Sequence, residues 1–180
     1  MSFCQIRPAS PTDIPALTQL LCQGFYNQVT QSPLSRWLYP LLQWTICLDL
    51  TNRLTNSDAD SICLVAIHPQ TQQPIATLEL HFRYLHPFWR SPHKSAYLAS
   101  LTVSNQWRRR GIAAQLIDHA ATLAKGKGYQ QIYLHVLTSN QAAQALYHKL
   151  NFGISRSDSN FLVKFLHLPQ RLMLEKHLVE

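Results

Sequence analysis

The run from Ala96 to Leu137 constrains the fold more than any other part of this chain. Ala96–Val103 is strand-like, a basic turn follows, and after Gly111 the apolar residues fall at helical spacing. Ile112, Leu116, Ala120, Leu123 and Ala124 share one helix face, while Gln115, Asp118, His119 and Thr122 point elsewhere. Gly126 and Gly128 end the helix, and Ile132–Leu137 is strand-like again. A strand, helix, strand crossover implies a parallel pair, because a tight hairpin can join only antiparallel strands.

The flanking segments supply the rest of a mixed sheet. Phe3–Arg7 predicts a first strand and Pro8–Asp13 a turn. Thr12 or Asp13 is then expected to cap a helix with Pro15 in its first turn and Leu17, Leu20, Leu21 and Phe25 on one face. A second helix is expected over Leu34–Leu54, interrupted or started afresh near Pro40. Ile62–Ile67 and Ile75–Phe82, separated by turn-rich His68–Pro74, read as an antiparallel hairpin. Leu85–His93 holds two prolines and reads as a loop. Asn140–Leu150 is helical, and Phe152–Ile154, Phe161–Leu166 and Leu172–Leu178 offer the closing strands. The expected fold class is α/β with a mixed sheet, mostly antiparallel around a central parallel pair, in the order β-α-α-β-β-β-α-β-α-β-β. With 180 residues, 46% of them hydrophobic, and no Gly- or Ser-rich linker, the expectation is one domain spanning residues 1–180.

Charge narrows the partners. Lys and Arg number 16 against 9 Asp and Glu, a formal +7 that favours an anionic partner. Only Arg108-Arg109-Arg110 form a run, and there is no basic helical stripe and no interleaving of aromatics with arginine, so a nucleic-acid partner is not expected. Trp37–Leu50 is the most apolar segment, but it carries Gln43 and Asp49 and is too short to span a bilayer, so no membrane role is expected. Cys4, Cys22, Cys47 and Cys63 form no C-x-x-C pair, which argues against a disulfide framework and against a metal site. Met1–Arg7 has no apolar stretch of signal-peptide type, and the expected location is cytoplasmic. The oligomeric expectation is a monomer or a homodimer.

The chemistry is concentrated between Leu101 and Ala114. Here a strand passes into a helix through Arg108-Arg109-Arg110-Gly111. The first N–H groups of a helix have no intrahelical partner, and the helix dipole there favours negative charge. Gly111 permits close approach of a ligand, so the segment suits a pyrophosphate; taken alone, it could equally be an ordinary helix start with solvated arginines.

Arg108-Arg109-Arg110-Gly111-Ile112-Ala113 resembles the Gln/Arg-x-x-Gly-x-Gly/Ala loop of the GCN5-related N-acetyltransferase family. Asn140-Gln141-Ala142-Ala143-Gln144-Ala145-Leu146-Tyr147, followed by Asn151-Phe152, resembles the family's second signature, Asn-x-x-Ala-x-x-Leu-Tyr and then Gly-Phe. Asn151 replaces the usual glycine, and asparagine also tolerates the left-handed cap conformation. Ile6-Arg7-Pro8-Ala9 and Asp13 look like the family's opening.

The resemblance implies acetyl-CoA as co-substrate, gripped where two parallel strands splay apart. In the family, backbone groups matching Leu101, Thr102 and Val103 pair with pantetheine, and residues matching Arg108, Arg109, Arg110, Gly111, Ile112, Ala113 and Ala114 hold the pyrophosphate. Asn140 matches a further cofactor contact, and Tyr147 matches the general acid that meets the departing sulfur. His135 stands where many relatives carry Glu. A His-bearing version resembles N-terminal acetyltransferases in which this His and a strand tyrosine, here Tyr97, deprotonate the amine. Glu79, on the preceding strand, is the rival base. Phe161-Leu162 stand where those enzymes place two tyrosines, whereas Trp37–Leu42 and Leu48–Leu50 look closer to plastid and cyanobacterial acetyltransferases. The expected acceptor is therefore a protein α-amine, a lysine ε-amine or both. A small-molecule amine, or acetyl-CoA sensing without turnover, are the alternatives.

Overall fold

The computed structural model describes residues 4–29, 33–55, 60–82, 95–157 and 170–178. The strands are β1 (Gln5–Pro8), β2 (Ser61–Ile67), β3 (Pro74–His81), β4 (Ser95–Val103), β5 (Gln131–Leu137), β6 (Gly153–Ser157) and β7 (Arg171–His177). The helices are α1 (Ile14–Val29), α2 (Pro33–Thr55), α3 (Ile112–Gly126) and α4 (Gln141–Lys149). This is the expected element order. The expected loop at Leu85–His93 and the expected strand at Phe161–Leu166 lie outside the described residues, as do Phe3 and the side chains of Phe25 and Trp37–Tyr39.

The seven strands are ordered β1-β2-β3-β4-β5-β7-β6. β1 pairs antiparallel with β2, and β7 pairs antiparallel with both β5 and β6. β4 and β5 are parallel, as the crossover requires, with Ser95 opposite Gln131, Ala96 opposite Ile132 and Tyr97 opposite Tyr133. That register stops at Tyr97, although β4 runs on to Val103 and β5 to Leu137. Ser100, within β4, has φ 54, a left-handed backbone that ordinary strand pairing does not use.

The chain divides into two compact units, residues 1–80 with 100–119 and residues 81–99 with 120–180. In the first, Ile14, Leu17, Leu20 and Leu21 of α1 bury against Leu50 of α2 and Val65 and Ile67 of β2. Each such side chain contributes about 1.5–3 kcal/mol by leaving water. In the second, the buried residues include Ala120 and Ala124 of α3, Ile132, Leu134 and Val136 of β5, Phe152, and Met173 and Leu174 of β7.

Three local expectations need correction. The cap before α1 works in reverse: Ser10 holds the cap position and Asp13 reaches back, accepting from the Ser10 N–H (2.8 Å) and the Ser10 hydroxyl (2.9 Å). Arg7 adds two bonds to the same carboxylate (2.7 and 2.9 Å), and this guanidinium holds Asp13 below the usual carboxylate range. α2 runs through Pro40 without interruption. A proline removes one intrahelical N–H donor, and the rest of a 23-residue helix outweighs that loss. Phe152 belongs to the cap of α4 rather than to a strand, and β6 begins at Gly153.

Candidate active site

In the first unit, β4 hands over to α3 through a short, heavily tied loop. The Ser104 N–H donates to the Ile75 carbonyl of β3 at 2.9 Å, and a 3-10 turn follows at Asn105–Trp107. Arg108 Nε donates to the Val103 carbonyl at 3.2 Å. Arg110 lies over the Trp107 ring, 4.7 Å from its centroid, and the His68 ring stands 4.7 Å from the same indole. Of the three arginines expected at a phosphate, two are thus also fastening the loop. Arg109 has φ 64 and Gly111 φ 77, so the loop turns through the left-handed region twice.

Gly111 is the residue before α3, and its carbonyl accepts the Gln115 N–H at 3.1 Å. The N–H groups of Ile112, Ala113 and Ala114 therefore start the helix, and a glycine at the cap position has no side chain to cover them. Arg108, Arg109, Arg110 and Gly111 are all exposed. Uncovered helix-start donors beside exposed guanidinium groups fit a pyrophosphate.

The β4 residues leading into this loop, Leu101, Thr102 and Val103, are half-buried. α1 crosses Thr102 at Gly24, where an added Cβ would stand 2.8 Å from Thr102 Cγ2. Only a residue without a side chain permits that approach. The one lone glycine inside an otherwise helical pattern was the available signal for this contact.

Glu79 is buried on β3, and its Oε2 accepts from Arg53 of α2 at 2.5 Å. Arg53 is held in turn by Asp49, one turn earlier, at 3.0 and 2.8 Å. A carboxylate oxygen engaged by a guanidinium is poorly placed to take a proton from an amine.

In the second unit, aromatic and imidazole rings gather on one face of the parallel pair. Tyr97 faces Tyr133 across the register, with ring centroids 4.9 Å apart. His135 follows two residues after Tyr133, so it lies on the same face of β5. His135 Nδ1 is 3.4 Å from the Tyr97 hydroxyl, the long end of hydrogen-bonding range. His81, at the end of β3, places its ring 6.3 Å from that of Tyr97, a neighbour that no sequence pattern signals.

Tyr147 lies on α4 and is buried. Burial pushes its phenol up to about 12, and the Tyr97 phenol adds to the push. α4 is anchored at both ends. Asn140 Oδ1 accepts the Ala143 N–H at 3.1 Å, so this asparagine is first a helix cap, and its amide nitrogen is a donor it can still offer a ligand. Gln144 Nε2 donates to the Leu137 and Thr138 carbonyls at 3.1 and 2.9 Å, tying the helix to the end of β5. At the other end, the Phe152 N–H donates to the Tyr147 carbonyl and the Asn151 N–H to the His148 carbonyl, both at 3.0 Å. Asn151 takes φ 63, the left-handed conformation its identity allows. The Phe152 ring packs 5.6 Å from that of Tyr147.

Among the described residues, no three His, Cys, Asp or Glu side chains are placed to share a metal ion, and no helix is long and apolar enough to cross a membrane. Comparison with known proteins gives a consistent assignment. A chloroplastic GCN5-related N-acetyltransferase, number 7 of Arabidopsis thaliana, is 34% identical over 79 residues, covering 44% of this chain and 29% of that protein. N-alpha-acetyltransferase 50 of Danio rerio is 32% identical over 69 residues, covering 38% of this chain and 41% of that protein. The matched stretch thus spans less than half the length of each relative. The PaiA N-acetyltransferase of Thermoplasma acidophilum, solved in complex with coenzyme A, superposes with a TM-score of 0.76 at 19% identity, covering 98% of this chain and 99% of that one. Residues 15–152 match the profile of the acetyltransferase (GNAT) family, and the chain belongs to that family.

Proposed function

We propose that this protein transfers the acetyl group of acetyl-CoA to a primary amine, and that the acceptor is a protein N-terminal α-amine, a lysine ε-amine or both. The observation that carries the proposal is the contact of His135 with Tyr97, on the sheet face where the parallel register ends. It sets an imidazole and a phenol side by side, a pair able to take a proton from an amine. The likeness to an N-alpha-acetyltransferase supports an α-amine among the acceptors.

Acetyl-CoA, the substrate, supplies an acyl group on a sulfur that leaves as a thiolate. The N–H groups of Ile112, Ala113 and Ala114, with Arg109 and its neighbours, would hold its pyrophosphate, and the backbone of Leu101–Val103 its pantetheine. The Asn140 amide nitrogen is a further donor to it. His135 and Tyr97 together take the amine proton through water. This matters more for lysine, with a reference pKa of about 10.4, than for an α-amine at about 7.7.

Burial changes how Tyr147 can serve as the acid. A phenol pushed up to about 12 by burial holds its proton more tightly than a thiol of reference pKa about 8.5. Tyr147 therefore acts chiefly by donating a hydrogen bond to the developing negative charge, and it transfers the proton fully only as far as desolvation raises the basicity of the sulfur too.

The test is incubation of the purified protein with labelled acetyl-CoA and a mixed library of peptides and polyamines, read by mass spectrometry. Acetyl on peptide α-amines or lysines is the expected result. Label on polyamines alone would move the acceptor to small molecules, and acetyl-CoA binding without any transfer would make the protein a sensor.

A further inference from the structure

The end of α4 does more than terminate a helix. The two bonds that close it, Phe152 N–H to Tyr147 carbonyl and Asn151 N–H to His148 carbonyl, form a Schellman closure, and its outer residue normally packs on the residue whose carbonyl it binds. Here that residue is Tyr147. Phe152 thus holds Tyr147 twice, by backbone and by ring. Phe152 is itself fixed: it is buried, β6 starts at the next residue, and Gly153 pairs with Glu175 of β7. Continuing that antiparallel register by one residue sets Lys176 opposite Phe152, and the Lys176 ammonium lies 5.9 Å from the centroid of the Phe152 ring.

We propose that Asn151 and Phe152 are positioning residues for Tyr147, with the left-handed Asn151 directing Phe152 against the Tyr147 ring and β7 holding Phe152 in place. The proposal rests on Tyr147 acting in the transfer reaction. A ring on the last two turns of a nine-residue helix would otherwise share the fraying of that helix end. Misplacing a reacting group by about an ångström can cost on the order of a hundredfold in rate, so the closure should be visible in turnover rather than in cofactor affinity.

The experiment compares Phe152→Leu, Asn151→Val and Asn151→Gly, each made in the wild type and in Tyr147→Phe. kcat and KM are measured with saturating acetyl-CoA and a peptide acceptor. Phe152→Leu and Asn151→Val should lower kcat on the order of tenfold with little change in KM for acetyl-CoA. Asn151→Gly, which keeps the left-handed backbone accessible, should retain far more of it than Asn151→Val. In Tyr147→Phe the same changes should lower kcat less than about twofold, because the group they position is gone. Equal losses in both backgrounds would overturn the proposal and leave the closure a feature of the fold alone. Wild-type kcat in Tyr147→Phe would instead remove the role of Tyr147, a separate failure. Spectra of 13C-labelled tyrosine, with Tyr147 assigned through Tyr147→Phe, decide the closure independently of turnover. Phe152→Leu should shift the Tyr147 ring resonance, and an unmoved resonance overturns the positioning.

Discussion

The effect of Gly24→Ala should change sign with the residue that faces it. A Cβ at Gly24 would stand 2.8 Å from Cγ2, 3.0 Å from Oγ1 and 3.5 Å from Cβ of Thr102. The first two distances are inside contact; the third is ordinary van der Waals separation. In a helix interior, Gly→Ala by itself gains about 1 kcal/mol. Forcing a methyl into a filled space loses about 1–3 kcal/mol. Gly24→Ala in the wild type should therefore lie between neutral and about 2 kcal/mol destabilising. In Thr102→Ala both close atoms are gone, and the same change should stabilise by about 1 kcal/mol. Urea unfolding of the four proteins of this cycle measures the difference, a coupling of about 1–3 kcal/mol at common m-value. For a chain of this size that corresponds to melting shifts of about 2–4 °C per kcal/mol. Equal effects of Gly24→Ala in both backgrounds would refute the close crossing of α1 over β4.

The other outcomes are as specific. An added Cβ at Gly111 meets no atom within 4 Å, but φ 77 strains any residue with a side chain. Gly111→Ala should therefore lose about 1–2 kcal/mol, as stability or, where the loop relaxes, as acetyl-CoA affinity. Gly111→Asn should lose less; calorimetry with unfolding curves checks the pair, and equal losses would mean that the backbone angle is immaterial. His135→Ala should lower kcat/KM most for a lysine acceptor, with partial recovery as pH rises and more amine is already neutral, and Tyr97→Phe should give a milder version. If Glu79→Gln removed the alkaline rise while His135→Ala kept it, Glu79 would be the base despite its Arg53 partner. Asp13, held low by Arg7, contributes stability that is present above its unfolded pKa of about 3.9 and lost as pH falls through its lower folded value. Asp13→Asn should accordingly destabilise at pH 7 and progressively less below pH 4, as acid titration of unfolding would show.

Much of this was legible in the sequence because it is local. The strand, basic glycine turn and helix at Leu101–Ala114 is a change of period with a φ > 0 residue at its hinge, and the chain obeys it. Asn151 at the α4 cap was legible for the same reason, since few residues other than glycine adopt that backbone readily. What was not legible depends on which of several partners a side chain or strand takes. Glu79 reads as a free carboxylate until Arg53 is found against it. Asn140 matches a ligand contact, and its side-chain oxygen also caps α4 on the Ala143 N–H. β7 inserts between β5 and β6, an order that chain sequence does not encode. Ser10, Thr12 and Asp13 can all cap, and it took Arg7 on the neighbouring strand to select Asp13 as the acceptor.

A protein that handles a thioester must also avoid being acylated by it. The attacking species is the thiolate, so the hazard scales with the ionised fraction of each cysteine. Cys63, within contact of the Thr77 hydroxyl at 3.5 Å, is pushed by burial from 9.0 up to about 11. Two pH units cut its thiolate population about a hundredfold at neutral pH. Cys4 and Cys22 are raised by burial as well. Burial thus keeps these three thiols mainly in the neutral form, which a thioester does not acylate.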